Sequence, residues 1–83
     1  MQWLPQIVRA EYDDEHRISL TFNDGVKSTV DFQHWLQGPV FEPLRDTDYF
    51  RSFFLEGGTV VWPNGADIAP ETLYERAKAN EAA

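Results

Sequence analysis

The sequence has no cysteine, only two histidines, and half as many basic as acidic residues. Each shortage removes a class of chemistry. Without cysteine there are no disulfides, no thiol nucleophiles and no cysteine-rich metal sites. His34 follows Asp31 by three residues and His16 adjoins Glu15, whereas zinc sites draw on three or four ligands. Both histidines therefore read as surface residues, Asp31 reads as a cap, and no metal or cofactor is expected. The basic residues Arg9, Arg17, Lys27, Arg45, Arg51, Arg76 and Lys78 are scattered, with no two adjacent. Phosphate neutralisation needs clustered cations, so direct nucleic acid binding is not expected. No apolar run reaches the length of a membrane span, and Met-Gln-Trp-Leu-Pro at the start has no basic region before an apolar one. A soluble cytoplasmic protein, away from the membrane, is the expectation.

Catalytic patterns are equally scarce. Ser19, Ser28 and Ser52 lie on strand-like segments outside any Gly-x-Ser-x-Gly elbow. Gly57-Gly58 is followed by no Gly-Lys-Ser/Thr and is not a phosphate loop. The acids Asp13-Asp14-Glu15, Asp46 with Asp48, and Asp67 with Glu71 fit turns and helix starts. A chain of 83 residues can hardly enclose the cleft a carboxylate pair would need. No catalytic residue is assigned.

What the chain has in excess is aromatic bulk and negative charge. Three Trp, three Tyr and six Phe make up 14% of the residues. In one small domain spanning 1–83 such rings take over the stapling role of disulfides, each burying roughly 150–250 Å². Fourteen Asp and Glu against seven Lys and Arg leave a net charge of −7. That balance keeps the chain soluble and suits a basic protein partner, whose encounter it would accelerate.

Hydrophobic periodicity gives the fold class. Ile18, Leu20 and Phe22 alternate with polar residues over 16–24, and Val26, Ser28, Val30 and Phe32 do so over 26–32. Asp24-Gly25 between them predicts a hairpin with a two-residue loop. Ile7 to Tyr12 adds a third strand with Val8, Ala10 and Tyr12 on one face and Arg9 and Glu11 on the other. Asp31 is expected to cap a short turn carrying Phe32, Trp35 and Leu36, ended by Gly38-Pro39. Residues 40–46 read as irregular, with Phe41 and Leu44 as plugs, and Asp46 or Asp48 as the start of a turn through Tyr49 and Phe50. Phe53–Leu55 and Thr59–Trp62 form a second hairpin around Glu56-Gly57-Gly58.

The densest signal is 59–74. Trp62-Pro63-Asn64-Gly65 suits a tight turn, with Pro63 second and Gly65 fourth. Pro70 suits the first position of a helix running to about residue 79, with Leu73, Tyr74 and Ala77 inward and residues 80–83 a fraying tail. Ile68 and Leu73 make a hydrophobic staple. Ala69 is a poor cap, and Asp67 is placed to take up the free N–H and to favour the helix start by charge. The expected architecture is α+β: a mainly antiparallel sheet of about five strands, a three-stranded meander plus a later hairpin, with short helical turns and the C-terminal helix on one face.

Trp-Pro-Asn-Gly-x-Asp-Ile-x-Pro-x-x-Leu-Tyr resembles the signature of the domain-of-unknown-function family 2442 of small bacterial proteins. Phe22-x-Asp24-Gly25, Val30-Asp31, Phe41-x-x-Leu44 and Phe50 extend the resemblance over nearly the whole chain. It implies a compact α+β domain, sometimes followed by a helix-turn-helix domain. For lone members it implies one half of a two-gene pair reminiscent of toxin–antitoxin modules. It carries no catalytic residues. The expected function is a non-enzymatic protein-interaction module, the acidic member of such a pair. Trp62, Asn64, Asp67, Tyr74 and Trp35 are its candidate interaction residues. Unpaired sheet edges also leave room for a homodimer. The alternatives are a small enzyme or enzyme subunit using Asp67, and an accessory domain of a transcriptional regulator.

Overall fold

The computed structural model describes residues 3–82, with side chains through Asn80. Met1, Gln2 and Ala83, which belong to the N-terminal and fraying expectations above, lie outside the described residues. Strands β1 (Ile7–Tyr12), β2 (Arg17–Phe22) and β3 (Lys27–Asp31) form an antiparallel meander in the order β1-β2-β3. Two 3-10 turns, Gln33–Trp35 and Glu42–Arg45, lead into the one-turn helix α1 (Thr47–Phe50). A hairpin of β4 (Phe54–Glu56) and β5 (Thr59–Val61) follows, and α2 (Pro70–Ala82) ends the chain. The five strands are all antiparallel and divide into two sheets. The Ile7 N–H donates to the Gly58 carbonyl at 2.8 Å and ties one sheet to the other.

Alternation along β2 does the burying. Ile18, Leu20 and Phe22 are fully enclosed, paired across from Val30, Ser28 and Val26 on one side and Tyr12, Ala10 and Ile7 on the other. Strand β1 departs from its expected alternation. Its register shifts between Ile7, opposite Phe22, and Arg9, opposite Thr21. The extra residue, Val8, is turned outward by this bulge and is 58% exposed, while Ile7 takes the inward place.

The β2–β3 turn has three residues rather than two. Gly25 N–H donates to the Phe22 carbonyl (2.9 Å) and Phe22 N–H to the Val26 carbonyl (2.8 Å). Gly25 sits at φ +92, a left-handed conformation that glycine adopts without steric cost. The Asp24 carboxylate accepts from the Val26 N–H at 3.0 Å.

Short-range polar bonds shape the middle of the chain. The Asp31 carboxylate accepts from Gln33 N–H (2.9 Å), which bends the end of β3 into its 3-10 turn. Asp46 caps α1 by accepting from Asp48 N–H (3.1 Å), a bond worth about 1 kcal/mol in typical helices. Segment 40–46 is more regular than its sequence suggests, and its turn buries Leu44 completely. Phe32, Phe50 and Trp62 meet at the centre with ring centroids 5.6–5.9 Å apart. Helix α2 lays Leu73 and Ala77 on this core next to β3. It runs past residue 79, and Asn80 donates to the Thr29 carbonyl at 3.1 Å, anchoring the last turn to β3.

Candidate functional site

The segment between β5 and α2 repeats the β2–β3 turn in a different setting. Gly65 N–H donates to the Trp62 carbonyl and Trp62 N–H to the Ala66 carbonyl, both at 2.9 Å, with Gly65 at φ +88. Asn64 takes the part of Asp24, accepting from Ala66 N–H at 3.0 Å through Oδ1. Both turns follow the pattern aromatic-x-Asx-Gly-aliphatic, and in both the aromatic side chain is buried. The chain then runs back along β5, where Asp67 bridges Val61. Strand β5 therefore lies between β4 and the 66–68 segment.

The candidate residues separate by what this geometry does with them. Trp62 is fully buried and its indole N–H donates to the Phe50 carbonyl at 2.8 Å, so it is a core residue, not an exposed anchor. The remaining amide hydrogens of Asn64 reach across to the Val40 carbonyl (2.9 Å), tying the turn to the 39–41 loop. Tyr74 is half-buried, edge-on to both Phe22 and Trp3 at 5.1 Å. Its hydroxyl donates to Asp24 Oδ2 at 2.7 Å, latching α2 to the β2–β3 turn. That bond, with the backbone N–H of Val26, holds the Asp24 carboxyl below the usual carboxylate range. Trp35 is half-buried, with its ring edge-to-face on Phe32 at 5.3 Å. The Arg76 guanidinium lies 5.9 Å from the Trp35 ring centroid and donates to His34 Nε2 at 3.0 Å, which requires that nitrogen unprotonated.

Asp67 behaves differently from its expected role at the helix start. Its carboxylate is exposed and makes no hydrogen bond or ion pair among the described residues. The tie between β5 and the approach to α2 comes instead from Thr59, whose buried hydroxyl donates to the Ile68 carbonyl at 2.5 Å. A lone carboxylate three residues before Pro70 cannot be told from a capping one by spacing. Thr59 itself gave no signal, because a Thr within a strand pattern reads as ordinary β propensity.

With the turn and Thr59 in place, a concavity of about 590 Å³ opens between the hairpin and the start of α2. Glu56 and Asp67 both line it, with Ile68 and Pro70 among its apolar walls and no basic residue among the described ones on its surface. The Thr59 hydroxyl at its base is already engaged, and neither histidine reaches it. The arrangement can accept hydrogen bonds and attract a cation. It holds no nucleophile–base pair of the kind acyl or phosphoryl transfer needs. The pairing of Glu56 with Asp67 had no signal in the sequence, because Glu56 ends β4 while Asp67 lies beyond β5, eleven positions on. Among the described residues, no group of three or more histidines and carboxylates is arranged to hold a metal ion. No described helix is long and apolar enough to cross a membrane.

No curated protein and no solved structure matches the chain. A family profile does match, over residues 7–79, which takes in both sheets, the turn at 62–65 and most of α2. The chain belongs to the family DUF2442, described as a protein of unknown function.

Proposed function

We propose that this chain is a non-enzymatic interaction module of the bacterial cytoplasm that docks a basic protein partner at the Glu56–Asp67 concavity. The observation that carries the reading is this concavity, which holds two carboxylates and, among the described residues, no cationic side chain. A Lys or Arg side chain supplies the missing charge and can lay its methylenes along Ile68 and Pro70. Beside it, Phe54 and Leu55 of β4 are 43% and 38% exposed, offering apolar contact next to Glu56.

The wider surface supports the same partner. Every described carboxylate is exposed, and among them only Glu11, Asp14 and Glu15 have a basic side chain within ion-pair distance. Such a surface steers a basic protein toward it and opposes a second copy of the same chain. The two-gene arrangement implied by the family makes the neighbouring gene's product the first partner to test. Co-expression with that product should give a co-purifying complex that weakens steeply as salt is raised. The paired change Glu56→Gln and Asp67→Asn should release the partner while leaving the melting temperature unchanged. An acidic partner, or capture indifferent to both neutralisations, refutes the reading.

A further inference from the structure

We infer that the cleft where the His16 loop meets the two 3-10 turns is a binding site for a small hydroxycarboxylate. The cleft measures about 520 Å³, within the ordinary range of small-ligand pockets. His16, Gln33, Leu36, Gln37 and Arg45 line it. None of these is an acid, although the chain carries fourteen Asp and Glu. The carboxylates nearest in sequence are engaged elsewhere: Glu15 lies 3.9 Å from the Arg17 guanidinium, Asp31 accepts from Gln33 N–H and Asp46 from Asp48 N–H.

Arg45 and His16 are held in place by backbone and keep functional groups in reserve, and the Gln37 side-chain amide donates to the His34 carbonyl at 3.5 Å. Arg45 donates through Nε to the Leu36 carbonyl at 2.8 Å. Its two terminal nitrogens make no bond among the described residues, leaving a charged fork suited to a carboxylate. His16 Nε2 lies 2.9 Å from the Arg45 carbonyl. A carbonyl only accepts, so Nε2 carries a proton, and whenever the ring is neutral Nδ1 is an acceptor. The ring is held edge-on against Phe50 at 5.1 Å, and the His16 carbonyl accepts from Phe32 N–H at 2.8 Å. These constraints limit the ordering a ligand must induce.

The donor–acceptor set selects the ligand. The Arg45 fork, the Gln33 amide and the second hydrogen of the Gln37 amide suit the oxygens of a carboxylate. With the ring neutral, the Nδ1 lone pair repels a bare carboxylate oxygen and instead accepts from an O–H. An acid with a neighbouring hydroxyl satisfies both; a simple carboxylate satisfies one.

The test is a titration of the full chain with glycolate, acetate and inorganic phosphate, followed by NMR at the Gln33 and Gln37 side-chain amides and the His16 ring. Glycolate should give saturable shifts at these groups with a dissociation constant in the millimolar range or below, and acetate and phosphate should bind more weakly. Gln37→Glu places a like charge in the cleft and should weaken glycolate about tenfold or more, with the melting temperature unchanged. Gln33→Glu, made in parallel, should do the same and covers any loss of folding in the first variant. Shifts that sodium chloride reproduces, glycolate binding no tighter than acetate, or affinity unchanged in both folded variants would overturn the assignment.

Discussion

Replacing Trp62 by Phe tests the central packing claim. The indole is fully buried, packed edge-on to Phe32 and tilted against Phe50, and its N–H is the one donor to the Phe50 carbonyl among the described residues. Phe keeps a six-membered ring but cannot donate. An orphaned buried carbonyl costs about 1–3 kcal/mol. The missing part of the indole adds a void; since complete truncation of Trp costs about 3–5 kcal/mol, a partial loss is worth about 1. The expected destabilisation is therefore about 2–4 kcal/mol. A domain of this length has about 4–12 kcal/mol in total, so the change removes a large share of it. Urea unfolding followed by far-ultraviolet circular dichroism measures it, with an unchanged m-value confirming that the native state itself has not altered. Trp35→Phe is the internal control: Trp35 is half-buried, and the control should lose about 1 kcal/mol or less through its contacts with Phe32 and Arg76. If Trp62→Phe stayed within about 0.5 kcal/mol of the parent, the buried-donor argument would fail.

Two further changes probe the bonds that hold α2. Thr59→Val preserves shape but strips the hydroxyl from the Ile68 carbonyl, so chemical denaturation should show a loss of about 1–3 kcal/mol; a neutral result would mean that water satisfies that carbonyl. Tyr74→Phe removes the hydroxyl that holds the Asp24 carboxyl low, so carbon-detected NMR titration should find the Asp24 pKa moving up toward the ordinary carboxylate range. Because the folded value lies below the unfolded one, this carboxylate contributes stability above its unfolded pKa and loses it as pH falls through the folded value. The variant should accordingly lose part of the acid-sensitive stability, and an unmoved Asp24 titration would contradict the latch.

Local order was readable in the sequence wherever one residue type has one strong conformational use. Asp-Gly and Asn-Gly marked the turns, Pro70 began the helix, and alternation placed Ile18, Leu20 and Phe22 inside. Register was not readable, because one added residue changes which side chains face inward without altering composition. Asp24-Gly25 fits both a two-residue loop and the three-residue loop it makes, and Val8 looked inward until a bulge turned it out. Convergence over distance was hidden as well: His16 and the Arg45 carbonyl are 29 positions apart, and Glu56 joins Asp67 through the hairpin fold. The motif at 62–73 nonetheless divides cleanly. Trp62, Ile68 and Leu73 fill the core, Asn64 and Gly65 close the turn, and Pro70 starts α2. The Asp67 carboxylate is a charged group the fold leaves unused there, as is that of Glu71 on the first turn of α2. Neutralising Asp67 should cost the fold little, so a loss of partner capture on Asp67→Asn could not be explained by unfolding.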